Sequence, residues 1–171
     1  EIELLPQIEN PTVELEQVKE IEGRIESAIN QGGIDVSYTD SHSKRDYSWN
    51  ISKQNISLWV NVQELEEKKI VLGLDKKSIL DFLKDKVMPT VVREPQNAKF
   101  SVGKNNKVKE FRGSRPGVSI DLEETYKAIN KGFQERMLHD EGTTREVAVI
   151  TEQVDPEIKT GEVNDLGIDE I

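Results

Sequence analysis

The sequence has no cysteine, only two histidines and 5% aromatic residues in 171 positions, and each scarcity removes a class of chemistry. Without cysteine there is no disulfide framework, no thiolate metal site and no thiol nucleophile. His42 lies in a polar loop and His139 just beyond a predicted helix, neither in an HExxH or other ligand spacing, so the pattern predicts no metal site. No GxSxG elbow, P-loop or GxGxxG occurs. Adjacent acids such as Glu66-Glu67 and Glu123-Glu124 suit a first helical turn better than a pair of glycosidase carboxyl groups. The loop from Asp40 to Asp46 lacks the spaced acids and glycine of a calcium-binding EF-hand. No apolar run approaches the roughly 20 residues of a membrane helix, and there is no signal-peptide pattern. The expectation is a chain that is not an enzyme and needs no cofactor.

What is present is charge, unevenly placed. The formal net charge is -10, and the pI near 4.8 argues against a nucleic-acid partner. Residues 1–30 hold 8 acids against 2 bases and residues 139–171 hold 10 against 2, so the ends carry -14 and the middle +4. Within that middle, Lys99, Lys104, Lys107, Lys109, Arg112 and Arg115 face only Glu110. Such a patch suits an anionic polymer or the acidic end of another module. The same bases also discourage edge-to-edge strand pairing.

The patch lies on a predicted hairpin. Ala98, Phe100 and Val102 alternate with polar residues, GKNNK supplies a turn, and Val108 to Phe111 returns with a spacing that predicts a bulge. Asp121 is the N-cap of a helix with Glu124 as capping-box partner, and Leu122, Tyr126, Ile129, Phe133 and Met137 form one apolar stripe. Upstream, EIELL reads as a strand, and a helix from about Thr12 stops at Gln31-Gly32-Gly33. Strands through Ile34 to Tyr38 and Tyr47 to Ile51 follow, then a short helix capped by Ser52 and a strand from Lys69 to Leu74. A helix capped by Asp75 is predicted to end at Met88-Pro89, and a last strand runs from Arg145 to Ile150. The order predicts an α+β fold with antiparallel hairpins packed against two long helices and at least one shorter helix.

Residues 1–18 align without a gap on residues 146–163, matching Pro11 with Pro156 and Val13 with Ile158. The offset predicts tandem modules: residues 1–11 as the exit strand and linker of a preceding module, 12–155 as one module, and 156–171 as a linker to a following domain. A start at Glu1 without methionine fits a piece of a longer chain.

At these residues the chain resembles a family. NAKF followed by the lysine- and asparagine-rich turn, RPGVSIDLEETYKAI, VLGLDKKSILDFL and the closing Pro156, Thr160 and Leu166-Gly167-Ile168 are similar to the peptidoglycan-binding module that precedes the catalytic domain of some L,D-transpeptidases. VanW-type bacterial surface proteins carry the same module. The resemblance implies a non-catalytic, extracellular, cell-wall-associated module that binds peptidoglycan or another anionic wall polymer and positions a neighbouring domain. The alternative it leaves open is a structural spacer that contacts neighbouring modules of the same chain. The transpeptidase reaction does not carry over, because it needs a cysteine. The wall-contact residues expected here are Lys99, Lys104, Lys107, Lys109, Arg112 and Arg115. Tyr47 and Trp49 are the aromatic faces best placed for sugar, although their strand alternation also suits a core.

Overall fold

In the computed structural model, which describes residues 15–65, 69–102, 108–138 and 146–160, the first element is α1, Leu15–Asn30. Gly32 stops it with φ +96°, a left-handed conformation that glycine takes without steric cost. β1, Ile34–Thr39, and β2, Asp46–Ile51, pair antiparallel, with Ile34 opposite Ile51, Val36 opposite Trp49 and Tyr38 opposite Tyr47. Period-two alternation puts these six side chains on one face, and Ile34, Val36 and Ile51 are fully buried. α2, Lys53–Trp59, begins at Ser52, whose Oγ accepts the Asn55 N–H at 3.1 Å.

β3, Val60–Leu65, and β4, Lys69–Leu74, form a hairpin paired along its whole length. The sequence reading has no strand at β3, whose character rests on pairing with β4. Asp75 caps α3, Lys76–Phe82, accepting the Ser78 N–H at 2.8 Å and the Ser78 hydroxyl at 2.7 Å. The expected stop at Met88-Pro89 does not occur. A π-helical turn, Leu83–Val87, leads into α4, Met88–Val91. The Met88 N–H reaches back five residues to the Leu83 carbonyl. Pro89 thereby falls in a first helical turn, where its missing N–H costs nothing.

β5, Lys99–Val102, and β6, Val108–Arg112, form the expected hairpin, and its register shifts between Ser101 and Val102 as the apolar spacing predicts. Its turn, 103–107, and the expected strand at 1–5 lie outside the described residues. β7, Gly117–Ile120, precedes α5, Leu122–Leu138, and β8, Glu146–Ala148, and β9, Thr151–Val154, follow it. β8 joins β1 in parallel and β9 pairs antiparallel with β7. β7 and β9 escape the sequence reading, because a strand as polar as Thr151–Val154 is defined by its distant partner. The architecture is α+β, as expected.

α5 joins these layers, packing on α1, α3, β4 and β8. Tyr126, Ile129 and Phe133 are buried, with Leu122 and Met137 packed at the margins. Asp121 Oδ1 accepts the Glu124 N–H at 2.9 Å, so the cap forms. Its capping-box return does not, because the Asp121 N–H already donates to the Ile150 carbonyl at 2.9 Å. The Glu124 carboxylate instead holds the Lys127 ammonium at 2.6 Å. A second row of α5 grips backbone: Asn130 Oδ1 accepts the Leu74 N–H at 2.7 Å, and Gln134 Nε2 donates to the Leu72 carbonyl at 3.0 Å. Two residues further on, the Arg136 side chain is buried at 1% exposure. Its two terminal nitrogens donate to the carbonyls of Gly32 and Gly33, each at 2.8 Å, just past the end of α1. The Gln31 amide donates back to the Arg136 carbonyl at 3.0 Å.

Two stability outcomes follow from these contacts, both read by urea denaturation. Asp121→Ala removes the cap and is expected to cost about 0.5 to 2 kcal/mol; an unchanged midpoint would mean that the helix starts elsewhere. Arg136→Ala orphans two carbonyls and is expected to cost about 2 to 4 kcal/mol, whereas Lys131→Ala on the exposed face should cost less than about 0.5 kcal/mol.

Candidate functional site

After α4 the chain runs extended through residues 93–96 and pairs antiparallel with residues 115–118. Arg93 and Val118 exchange N–H to carbonyl bonds at 2.9 Å, and Gln96 and Arg115 do so at 2.8 Å. With β9 on the other side of β7, this makes a three-stranded patch. Gly117 allows the close approach: a Cβ there would lie 2.5 Å from the Arg93 carbonyl oxygen and 2.6 Å from the Pro95 nitrogen. Between this patch and the end of β1 lies a cleft of about 1040 Å³, lined among others by Tyr38, His42, Arg93, Gln96, Arg115 and Gln153. A smaller hollow of about 460 Å³ adjoins it, lined by Arg112 and Ser114. Gln96 and Arg115 line both, so the two form one groove running from the end of β1 to the root of the β5–β6 hairpin.

The electrostatics of the cleft are set by Asp40, which opens the loop after β1. Its Oδ1 accepts the His42 N–H at 2.8 Å and the Ser43 N–H at 3.4 Å. Its two oxygens take Arg93 Nη1 at 2.7 Å and Nη2 at 3.3 Å. The His42 backbone bond, helped by the Arg93 guanidinium and against partial desolvation, holds the Asp40 carboxyl down at about 2. The pair is two-pronged, which fixes the plane of the guanidinium. Arg93 keeps 40% of its side chain exposed and has five donors in all, so some remain for a ligand. Burial, with the Asp40 charge, pushes the Tyr38 hydroxyl up, so it stays neutral. Arg115, Glu94 and Glu152 also line the cleft, and their side chains have no hydrogen-bond or ionic partner among the described residues.

The structure brings some of the sequence-predicted residues together. Lys99 stands opposite Arg112 across the hairpin, both exposed, and Arg115 follows at the groove. Lys109 lies in β6, and Lys104 and Lys107 lie outside the described residues. Tyr47 and Trp49 are half-buried and pack against the core. They continue a ladder from the cleft-lining Tyr38, with ring centroids 6.3 Å apart for Tyr38 and Tyr47 and 6.2 Å for Tyr47 and Trp49. The rings stack along their edge strand more than they offer a platform. Sequence reasoning missed Asp40, Arg93, Gln96 and Gln153. Asp40 had a signal, an Asp opening a polar turn; Arg93 had none, because its partner lies 53 residues away. Among the described residues no cluster of ligands could hold a metal and no helix is long and apolar enough to cross a membrane.

Residues 33–137 match the family model described as "Putative peptidoglycan binding domain". Among solved structures the chain is similar, at 12% identity and a TM-score of 0.47, to the Ldtfm–avibactam carbamoyl enzyme, covering 79% of this chain and 46% of that one. It is also similar, at 12% identity and a TM-score of 0.42, to a cysteine-to-serine variant of Enterococcus faecium L,D-transpeptidase, covering 78% and 46%. The chain thus spans less than half the length of either enzyme. No curated protein matches.

The Asp40–Arg93 pair has a pH signature. The Asp40 carboxyl is lower in the folded protein than the about 4 of an unfolded aspartate. Its contribution is therefore fully present above that value and lost as pH falls towards about 2. Asp40→Asn is expected to melt below the parent at pH 7, with the gap closing as pH falls through 4, as thermal scans between pH 7 and 2 would show. Gly117→Ala is expected to destabilise by about 1 to 3 kcal/mol through forced separation of backbone segments.

Proposed function

The chain belongs to this peptidoglycan-binding domain family, and from that premise we propose that it is a non-catalytic, cell-wall-associated module that holds peptidoglycan and thereby positions a neighbouring domain of the same chain. The observation that carries the reading is the groove: it joins the cleft at Arg93 and Arg115 to the root of the hairpin at Arg112, which stands opposite Lys99. A net-acidic protein thus gathers Arg93, Arg115 and Arg112 along one groove, with Lys99 opposite Arg112 on the neighbouring strand. Exposed cations of this kind engage anionic wall groups weakly, and weak contacts suffice for linked modules, which gain through effective concentration. Tyr47 and Trp49, as half-buried members of the core ladder, are secondary contacts in this reading. Localisation is extracellular, with residues 12–155 as the module, 1–11 as the exit of a preceding one, and 156–171 leading to a following domain.

One observation favours a second reading, that of a spacer. The start of the exit segment is docked. The Ala98 N–H donates to the Ile158 carbonyl at 2.9 Å, and Ser114 and Thr160 are joined by three hydrogen bonds between 2.8 and 3.1 Å. Pro156 is buried. The segment therefore leaves along the hairpin root in a defined direction, as a spacer that orients its neighbour requires.

Pelleting with purified insoluble peptidoglycan tests the two readings. The wall-binding reading predicts retention that falls several-fold between 50 and 500 mM salt, as screened surface charges demand, and a comparable loss on replacing Lys99, Lys109 and Arg112 together by alanine. Retention indifferent to salt would contradict the role of the basic groove. Absence of retention in both one-module and two-module chains, with measurable contact between modules, would favour the spacer.

A further inference from the structure

Resting on the wall-binding reading, the inference here concerns which part of the polymer the cleft receives. Peptidoglycan offers neutral sugars and short peptides, and the peptides carry free carboxylates and, where a diamino acid is not cross-linked, a free ammonium. The cleft lining holds both signs of charge. Arg115, exposed, has no side-chain partner among the described residues, and Glu94 and Glu152 in the same cleft have none either. An all-anionic polymer would meet those two carboxylates unfavourably. A neutral glycan could hydrogen-bond to these groups but would neutralise none of the three charges, and besides His42 the cleft lining contains a single aromatic ring, Tyr38, where sugar recognition wants flat faces.

We propose that this cleft binds the free end of a short zwitterionic peptide, with Arg115 taking its carboxylate and Glu94 and Glu152 its ammonium. The dimensions suit it. A volume of about 1040 Å³ exceeds that of a few residues of extended peptide, and the bridged pairs Arg93–Val118 and Gln96–Arg115 stand three residues apart, roughly 10 Å along the strands. Arg93 is a positioning residue: its two bonds to Asp40 hold loop 39–46 against the patch and keep the cleft walls at their spacing. The hairpin cations, by contrast, supply the general anion attraction that draws the polymer in. The two roles are separable.

The test is calorimetric or NMR titration of the whole chain with synthetic stem-type peptides ending in a free carboxylate and carrying a lysine side chain. Three companions are titrated alongside: the C-terminal amide, the Nε-acetylated peptide and a glycan oligomer without peptide. The expected result is binding of the parent peptide, weakened at least about tenfold by amidation, by acetylation and by Arg115→Ala, with the glycan oligomer inert. Arg115→Lys should recover part of the loss, and the melting temperature of both variants should match the parent, since only backbone atoms of Arg115 hold the patch. Equal binding of the amide or the acetylated peptide, or unchanged affinity in Arg115→Ala, would overturn the assignment. If none of the peptides binds while insoluble peptidoglycan still pellets the protein, this inference fails and the wall-binding reading stands. If pelleting is absent as well, both fail.

Discussion

A charged guanidinium in the core is the constraint on which the rest of the structure depends. Burying Arg136 beside the end of α1 is costly unless its donors are used, and the carbonyls of Gly32, which stops the helix, and of Gly33, which follows it, each take one. The negative end of a helix is where a cation is most favourable. That match fixes the last turn of α5 against the start of β1. Six to ten residues upstream on α5, Asn130 and Tyr126 contact β4 and Gln63 by hydrogen bonds. Both main sheets are thus referred to one helix through polar contacts with one geometry each, while the apolar stripe between them fills the space without dictating it.

From that frame the cleft follows. β1 is set by α5 and by its parallel partner β8, so its end, with Tyr38 and the Asp40 loop, has a fixed place. β7 leads directly into the capped start of α5, and β9 returns beside it. The segment 93–96 then closes on β7 only because residue 117 lacks a side chain. Asp40 and Arg93 join the two sides through their side chains. The surface that results places cations and carboxylates on a shared wall, and the basic hairpin continues it outward.

Much of this was legible in the sequence wherever the determining contacts are local. The caps at Ser52, Asp75 and Asp121, the glycine stop of α1, the bulged hairpin and the stripe of α5 all depend on residues within a few positions of one another. What was not legible depends on distant partners. β7 and β9 are four residues each, β9 is polar besides, and the two are paired with each other. The return arm of the Asp121 capping box is displaced by the Ile150 carbonyl, 29 residues on. The helix passes its proline by means of a π turn that no spacing announces. The groove was half legible: Arg112 and Arg115 stood out as a charge cluster, while Arg93 and Asp40 meet only in the folded chain, and Arg136, one helical step beyond Phe133, looked like an ordinary charged residue.

The central claim is that the groove between loop 39–46, residues 93–96 and residues 115–118 is where the wall polymer is held. Amide chemical-shift mapping with soluble, enzymatically released peptidoglycan fragments tests it most directly. The account predicts that the largest shifts fall on Gln96, Arg115, Val118 and Gln153, with smaller ones on Lys99 and Arg112. Shifts centred instead on the ladder of Tyr47 and Trp49, or on the exposed face of α5, would contradict it.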